Sequence, residues 1–132
     1  MRTDVAFDSN ILLYLSGDDT RSETAAQLLT EGGVVNPLVL SEVAWVTRRK
    51  WRWEWPETTE LLGTIRANTV CLPLSCEAQE RGMRYAERYQ LQVFDAVIVA
   101  AAVLGHCTIL YSEDMHNGLL IDGLTIRNPF KL

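Results

Sequence analysis

The sequence predicts an α/β fold, a mostly parallel sheet of four to five strands with helices between them. Short apolar runs too brief for helices, such as Val5-Ala6-Phe7 and Cys107-Thr108-Ile109-Leu110-Tyr111, alternate with longer segments of helical spacing. Two of these runs end on carboxylates, Asp8 and the pair Glu113-Asp114. In an open parallel sheet the carboxyl ends of the strands are where ligands bind.

The first strand ends at Asp8, and Ser9-Asn10 then lead into the apolar helix Ile11-Leu12-Leu13-Tyr14, capped by Asp8 or Ser9. Capping alone would account for an aspartate here. Gly17-Asp18-Asp19-Thr20 is a turn, followed by a helix from about Arg21 to Thr30 that Gly32-Gly33 ends. Val34-Val35 is a short buried strand. Asn36-Pro37 opens the next helix, where Leu38, Glu42 and Trp45 fall at i, i+4 and i+7. That spacing predicts an inward face carrying Glu42, and a glutamate so placed needs a partner, a cation or an edge that reaches water.

The stretch 48–56 holds four of the 12 basic residues and three of the four tryptophans. Arginine interleaved with tryptophan suits stacking on nucleobases, and it equally suits a hairpin tip that packs on a neighbour. Contact with a protein partner or a second subunit is the favoured reading of Trp51–Trp55. Pro56 starts a helix to about Ala67, and Thr69-Val70-Cys71-Leu72-Pro73 is the third strand. Ser75 caps a polar helix to about Tyr89, whose charges form a solvated face.

The run 91–103 is apolar nearly all round and rich in alanine, which predicts a central buried helix begun by Asp95 and ended by Gly105. Asp95 as a mere helix cap is the plain alternative. The fourth strand then delivers Ser112, Glu113 and Asp114. In the tail, Asp122-Gly123 between apolar runs is a hairpin signal or marks a fifth, edge strand. His106 and His116 read as surface loop residues.

The 132 residues, 48% of them hydrophobic, fit one domain spanning 1–132 with a full core. Cys71, Cys76 and Cys107 form no metal-binding spacing and are expected as reduced, mostly buried thiols in a cytoplasmic protein. The first residues lack the features of a secretory leader, and no apolar run approaches the roughly 20 residues that span a bilayer. A net charge of −5 argues against a protein that binds nucleic acid through basic residues alone. An acidic enzyme that gathers cations to process a phosphodiester remains open.

Asp8, Glu42, Asp95 and Asp114 stand out by position, at strand ends, a helix start and an inward helix face. Brought into one cleft, such carboxylates would raise one another's pKa and repel unless a cation neutralised them. Oxygen-only ligands suit Mg²⁺ or Mn²⁺, which activates water and clamps a phosphoryl oxygen.

Phe7-Asp8-Ser9-Asn10, Ser41-Glu42-Val43, Phe94-Asp95-Ala96 and Ser112-Glu113-Asp114 resemble the four signature blocks of the PIN-domain nucleases, nearest to the VapC-type toxins of bacterial toxin–antitoxin pairs. The tail 122–130 is similar as well. The resemblance implies a three-layer α/β/α sandwich and a Mg²⁺- or Mn²⁺-dependent endoribonuclease. It implies Asp8, Glu42, Asp95 and Asp114 as the acidic site, with Asp8 and Asp95 the firmest metal ligands. Asn10 would orient the site, and Ser112 would do so or cap a following helix. An antitoxin that wraps the toxin, and a homodimer, are the implied partners. Glu113 is an extra carboxylate, either an outward-facing residue at a helix start or a sharer in metal duty. No base-reading motif marks the RNA target.

Other readings are a PIN-type RNA-processing nuclease without an antitoxin and a non-catalytic module that keeps the fold for binding. A phosphotransferase using Asp8 as covalent acceptor fits less well. A dehalogenase-type phosphatase would want an aspartate where Asn10 stands. A receiver domain would want a lysine at a late strand end, and the only lysines are Lys50 and Lys131.

Overall fold

The computed structural model describes residues 2–131. Its sheet has six strands in the order β3-β2-β1-β4-β6-β5, two or one more than the sequence predicts. β1 (Val5–Phe7) lies inside it, paired in parallel with β2 (Gly33–Val35) on one side and β4 (Ile109–Tyr111) on the other. β3 (Thr69–Cys71) follows β2 in parallel, and β6 (Leu124–Arg127) follows β4. The tail holds the additional strand. β5 (Leu120–Ile121) pairs antiparallel with β6 and forms the edge. Asp122 and Gly123 join them with φ of 47° and 88°, the positive values that a two-residue hairpin turn requires. The hairpin signal and the additional strand are therefore the same feature.

Between β1 and β2 run α1 (Ser9–Leu13), a short 3₁₀ turn and α2 (Thr20–Glu31). α3 (Pro37–Trp45), a π-helical turn over Val46–Lys50 and α4 (Trp55–Asn68) connect β2 to β3. α5 (Cys76–Tyr89) and α6 (Val93–Leu104) carry the chain from β3 back to β4, beyond β1. Right-handed crossovers running outward and then back put the two sets of helices on opposite faces. The result is a three-layer α/β/α sandwich. α5 and α6 pack intimately on each other, whereas α1 contacts α3 and α4 contacts both α2 and α3.

The helix starts follow local chemistry. Asp19, Asn36 and Ser75 each accept a hydrogen bond from a backbone N–H of the first turn, and α4 begins with a capping box between Glu54 and Glu57. α6 is capped by Gln92, whose side chain accepts from the Asp95 N–H at 3.0 Å. Asp95 thus sits in the first turn without capping it, so its carboxylate is left for other partners. The core face of α3 is Val39, Leu40 and Val43 rather than Leu38, Glu42 and Trp45. This helix is apolar on most sides, so periodicity marks no unique inner stripe. Glu42 falls on the half-buried shoulder, and Trp45 is 55% exposed. Among the cysteines only Cys107 is buried; Cys71 and Cys76 are exposed, because they lie at the outer strand β3 and at the start of α5.

A candidate acidic active site at the switch point of the sheet

β1 feeds leftward to β2 while β4 lies on its other side, so the sheet reverses its strand order between β1 and β4. That is where a cleft opens beyond the carboxyl ends of the strands. Asp8 leaves β1 there, its N–H donating to the Tyr111 carbonyl at the end of β4 at 2.9 Å. Its residue is only 3% exposed. A carboxylate buried this deeply needs donors, and three converge on it. The Ser9 N–H donates to Oδ1 at 2.8 Å as the α1 cap, and the Ser112 hydroxyl donates to Oδ2 at 2.8 Å. The Asn10 amide donates to Oδ2 at 3.3 Å.

Asn10 also ties the two strand ends together. Its amide donates to the Ser112 hydroxyl at 3.4 Å, and its Oδ1 accepts the Glu113 N–H at 3.1 Å. Ser112 thus holds Asp8 rather than capping a helix: among the described residues no helix follows β4, only a bend over 113–115. Ser9 was not singled out from sequence beyond a capping role. Its hydroxyl donates to Glu42 Oε1 at 3.3 Å, so one residue holds two of the four acids. Adjacency to Asp8 within its sequence block was the available signal.

Burial and neighbouring charge raise three of the four acids. Burial pushes Asp8 up to about 7; the Ser112 hydrogen bond opposes this, and the negative charges of Asp95 and Glu42 add to it. Burial likewise raises Glu42, against the Ser9 hydrogen bond and with a further push from Asp95. Asp95 is raised by burial first and by Asp114 second. Asp114 itself is exposed at the rim. The charge of Asp95 thus acts on both Asp8 and Glu42, and that of Asp114 acts on Asp95. Among the described residues, no three His, Cys, Asp or Glu side chains form a ready-made metal cage. An all-oxygen set of half-buried and exposed carboxylates around a buried one still fits Mg²⁺, which keeps several of its waters and takes only one or two carboxylates directly.

Glu113 stands apart from this set. Tyr14 donates its hydroxyl to Oε1 at 2.7 Å, and Arg21 binds Oε2 as an ion pair. Arg21 also donates to the Tyr14 hydroxyl at 3.0 Å and lies over the Tyr14 and Phe130 rings. With both oxygens engaged, Glu113 is neither an outward-facing residue at a helix start nor a free donor. A groove beside the acids is lined by Asn10, Leu13, Tyr14, Trp51, Glu113 and Asp114. Trp51 is the member that sequence did not place, since it arrives from the turn after α3.

Residues 5–116 match the sequence pattern of the PIN domain. The chain belongs to the PIN domain family. Solved structures share the architecture. A toxin–antitoxin complex from Klebsiella pneumoniae contains a chain that is 26% identical, with a TM-score of 0.72, the match covering 97% of this chain and 99% of that one. VapC20 of Mycobacterium tuberculosis, a toxin that cleaves the sarcin–ricin loop, is 17% identical with a TM-score of 0.68, over 83% and 89% of the two chains. VapBC2 from Rickettsia felis, bound to a DNA fragment from its promoter, is 16% identical with a TM-score of 0.69, over 94% and 97%. Among curated proteins no sequence matches the chain significantly. In this PIN domain the acids gather where the sheet reverses order, and no helix among the described residues is long and apolar enough to cross a membrane.

Proposed function

We propose that this PIN domain is an endoribonuclease dependent on Mg²⁺ or Mn²⁺ and acts as the toxin of a VapBC-type toxin–antitoxin pair. The observation that carries the reading is Asp8. Its carboxylate is buried at the switch point, held by three donors and raised toward neutrality by that burial first, with the charges of Asp95 and Glu42 adding to it. Such strain on a carboxylate is retained where a cation relieves it. Asp8 and Asp95 would hold the metal directly, with Glu42 and Asp114 available directly or through water. When bound, a divalent metal supplies an acidified water and charge stabilisation of the phosphoryl group.

The protein's own residues do the rest. Ser112, Asn10 and the Ser9 N–H hold the Asp8 oxygens in place, so that little reorganisation is needed as charge develops at the phosphate. Ser9 restrains Glu42 on the facing helix shoulder. Asp114, exposed at the rim, lies where an RNA backbone would enter.

Partnership with an antitoxin is supported by the likeness to the Klebsiella pneumoniae toxin–antitoxin complex and by the exposed apolar side chains near the site. Val93 and Phe94, 47% and 55% exposed, directly precede Asp95 at the head of α6. Exposed apolar groups clustered beside a charged cleft are suited to a protein partner that covers both. A homodimer belongs to the same reading.

The test is cleavage of a structured RNA by purified protein in Mg²⁺, in Mn²⁺ and in EDTA, beside the Asp95→Asn variant. Metal-dependent cutting that disappears in the variant is the expected result. Undiminished cutting by Asp95→Asn, or cutting that persists in EDTA, would refute the assignment.

A further inference from the structure

The tryptophan-rich turn divides into side chains with different surroundings. Lys50 Nζ lies 5.7 Å from the centre of the Trp45 ring, and Arg48 Cζ lies 4.4 Å from that of Trp55. Those two rings already carry a cation on one face. Trp53 is half-buried against the core. Trp51 is 41% exposed and lines the groove that Asp114 also lines, and among the described residues no cation lies over its ring. Trp53 supports it from one side, the ring centroids 5.4 Å apart at an interplanar angle of 57°. Backbone bonds fix the platform: the Trp51 N–H donates to the Val46 carbonyl and the Trp53 N–H to that of Thr47. Thr47 is in turn locked to Thr58 of α4 by a buried hydroxyl pair at 2.9 Å.

Charge around the platform has the sign that a polyanion needs. Arg49, Lys50 and Arg52 are exposed, and among the described residues none of them enters an ion pair. The groove lining thus holds both Asp114 and Trp51, and Arg49, Lys50 and Arg52 lie beside Trp51 in the chain. A nucleotide carries a phosphate and a flat π-face, and the combination of a stacking ring with flanking cations is how single strands are held without base-specific hydrogen bonds.

We propose that Trp51 is a stacking platform for a nucleobase of single-stranded RNA next to the scissile phosphate, with Arg49, Lys50 and Arg52 flanking the backbone. The proposal rests on the nuclease reading for the position of that phosphate. It separates Trp51 from Trp45 and Trp55, which remain suited to protein contact.

The experiment measures binding of a fluorescein-labelled 12-nucleotide single-stranded RNA of mixed sequence by anisotropy, in an Asp95→Asn background that does not cut. Trp51→Ala should weaken binding by about tenfold to a hundredfold, as loss of one base–aromatic stack does, and Trp51→Phe should recover most of it. Sedimentation of each variant reports its oligomeric state. Affinity unchanged by Trp51→Ala overturns the proposal, as does affinity that falls only together with loss of a dimer, since Trp51 would then serve protein contact. Cleavage by the Asp95-containing protein in Mg²⁺ is scored separately. Intact RNA there, alongside a Trp51 effect on binding, would sink the nuclease reading and leave the stacking platform standing.

Discussion

The strain on Asp8 has a thermodynamic signature that can be read without any substrate. An aspartate in the unfolded chain gives up its proton near 3.8, whereas burial pushes Asp8 in the folded protein up to about 7. Between those values the folded state holds a proton that the unfolded state has released. Stability associated with this group is therefore fully present below the unfolded value and is lost as pH rises through the folded one. The difference corresponds to about 2 to 4 kcal/mol, the lower figure applying where Asp8, Glu42 and Asp95 share the proton. For a chain of this size that is about 6 to 14 °C in Tm. Glu42 and Asp95 are raised and act in the same sense, while Asp4 and Asp19 are lowered by their own partners and act oppositely. The informative quantity is thus the difference between the wild type and Asp8→Asn, which is isosteric and cannot ionise. In EDTA the Tm of the variant should gain on that of the wild type from pH 5 to pH 8, a window that covers most of the loss between the unfolded and folded values. Millimolar Mg²⁺ at pH 8 should stabilise the wild type and leave the variant unmoved. Calorimetry at the two pH values, with and without metal, decides it. A wild-type Tm that does not fall relative to Asp8→Asn between pH 5 and pH 8 would refute the idea that Asp8 is a strained carboxylate awaiting a cation.

Two further outcomes follow from packing and hydrogen bonding around the same scaffold. Ser112→Ala removes the 2.8 Å hydrogen bond that opposes the rise of Asp8, so the pH profile of metal-dependent cleavage should move to higher pH. The rate at pH 7 should drop about tenfold to a hundredfold, the value of one hydrogen bond to a charged group. Gly82 lets α5 approach α6, since a Cβ there would come within 2.9 Å of the Val97 Cα. Gly82→Ala should cost about 1 to 3 kcal/mol by forcing the helices apart. Urea unfolding checks this, and an unchanged midpoint would show that the contact yields freely.

What the sequence revealed of the site is what local pattern encodes. Asp8 and Asp114 follow apolar runs that end as strands must, and Asp95 opens a run too apolar to be anything but buried. Their convergence depends on β1 lying between β2 and β4, which no local pattern states. Asn10 and Ser112 meet although 102 residues separate them. Glu42 was singled out by way of an inner face that α3 does not use, because the helix is apolar on most sides and packing buries Val39, Leu40 and Val43 instead. The tryptophans carried the least positional information. Their alternation with arginine is the same whether a ring meets a cation, the core or an open groove, and only the turn over Val46–Lys50 sorts Trp51 from its neighbours.

The net charge of −5 acquires a different meaning once the charges are placed. Acidic and basic residues are segregated: Asp114 of the acidic set lines the groove that Trp51 also lines, and four of the 12 basic residues lie in the 48–52 segment that carries Trp51. A uniform negative surface would repel RNA, whereas this division would orient it. On the proposed reading, metal bound at the acids reverses the local sign where the scissile phosphate must sit, and the basic turn holds the neighbouring nucleotides. Few phosphates are then contacted by Lys or Arg, so the salt dependence of binding would be shallow compared with that of a protein that grips a long duplex. Affinity must come instead from the metal and from stacking. That requirement assigns an energetic role to Trp51, an exposed tryptophan in the groove that Asp114 also lines.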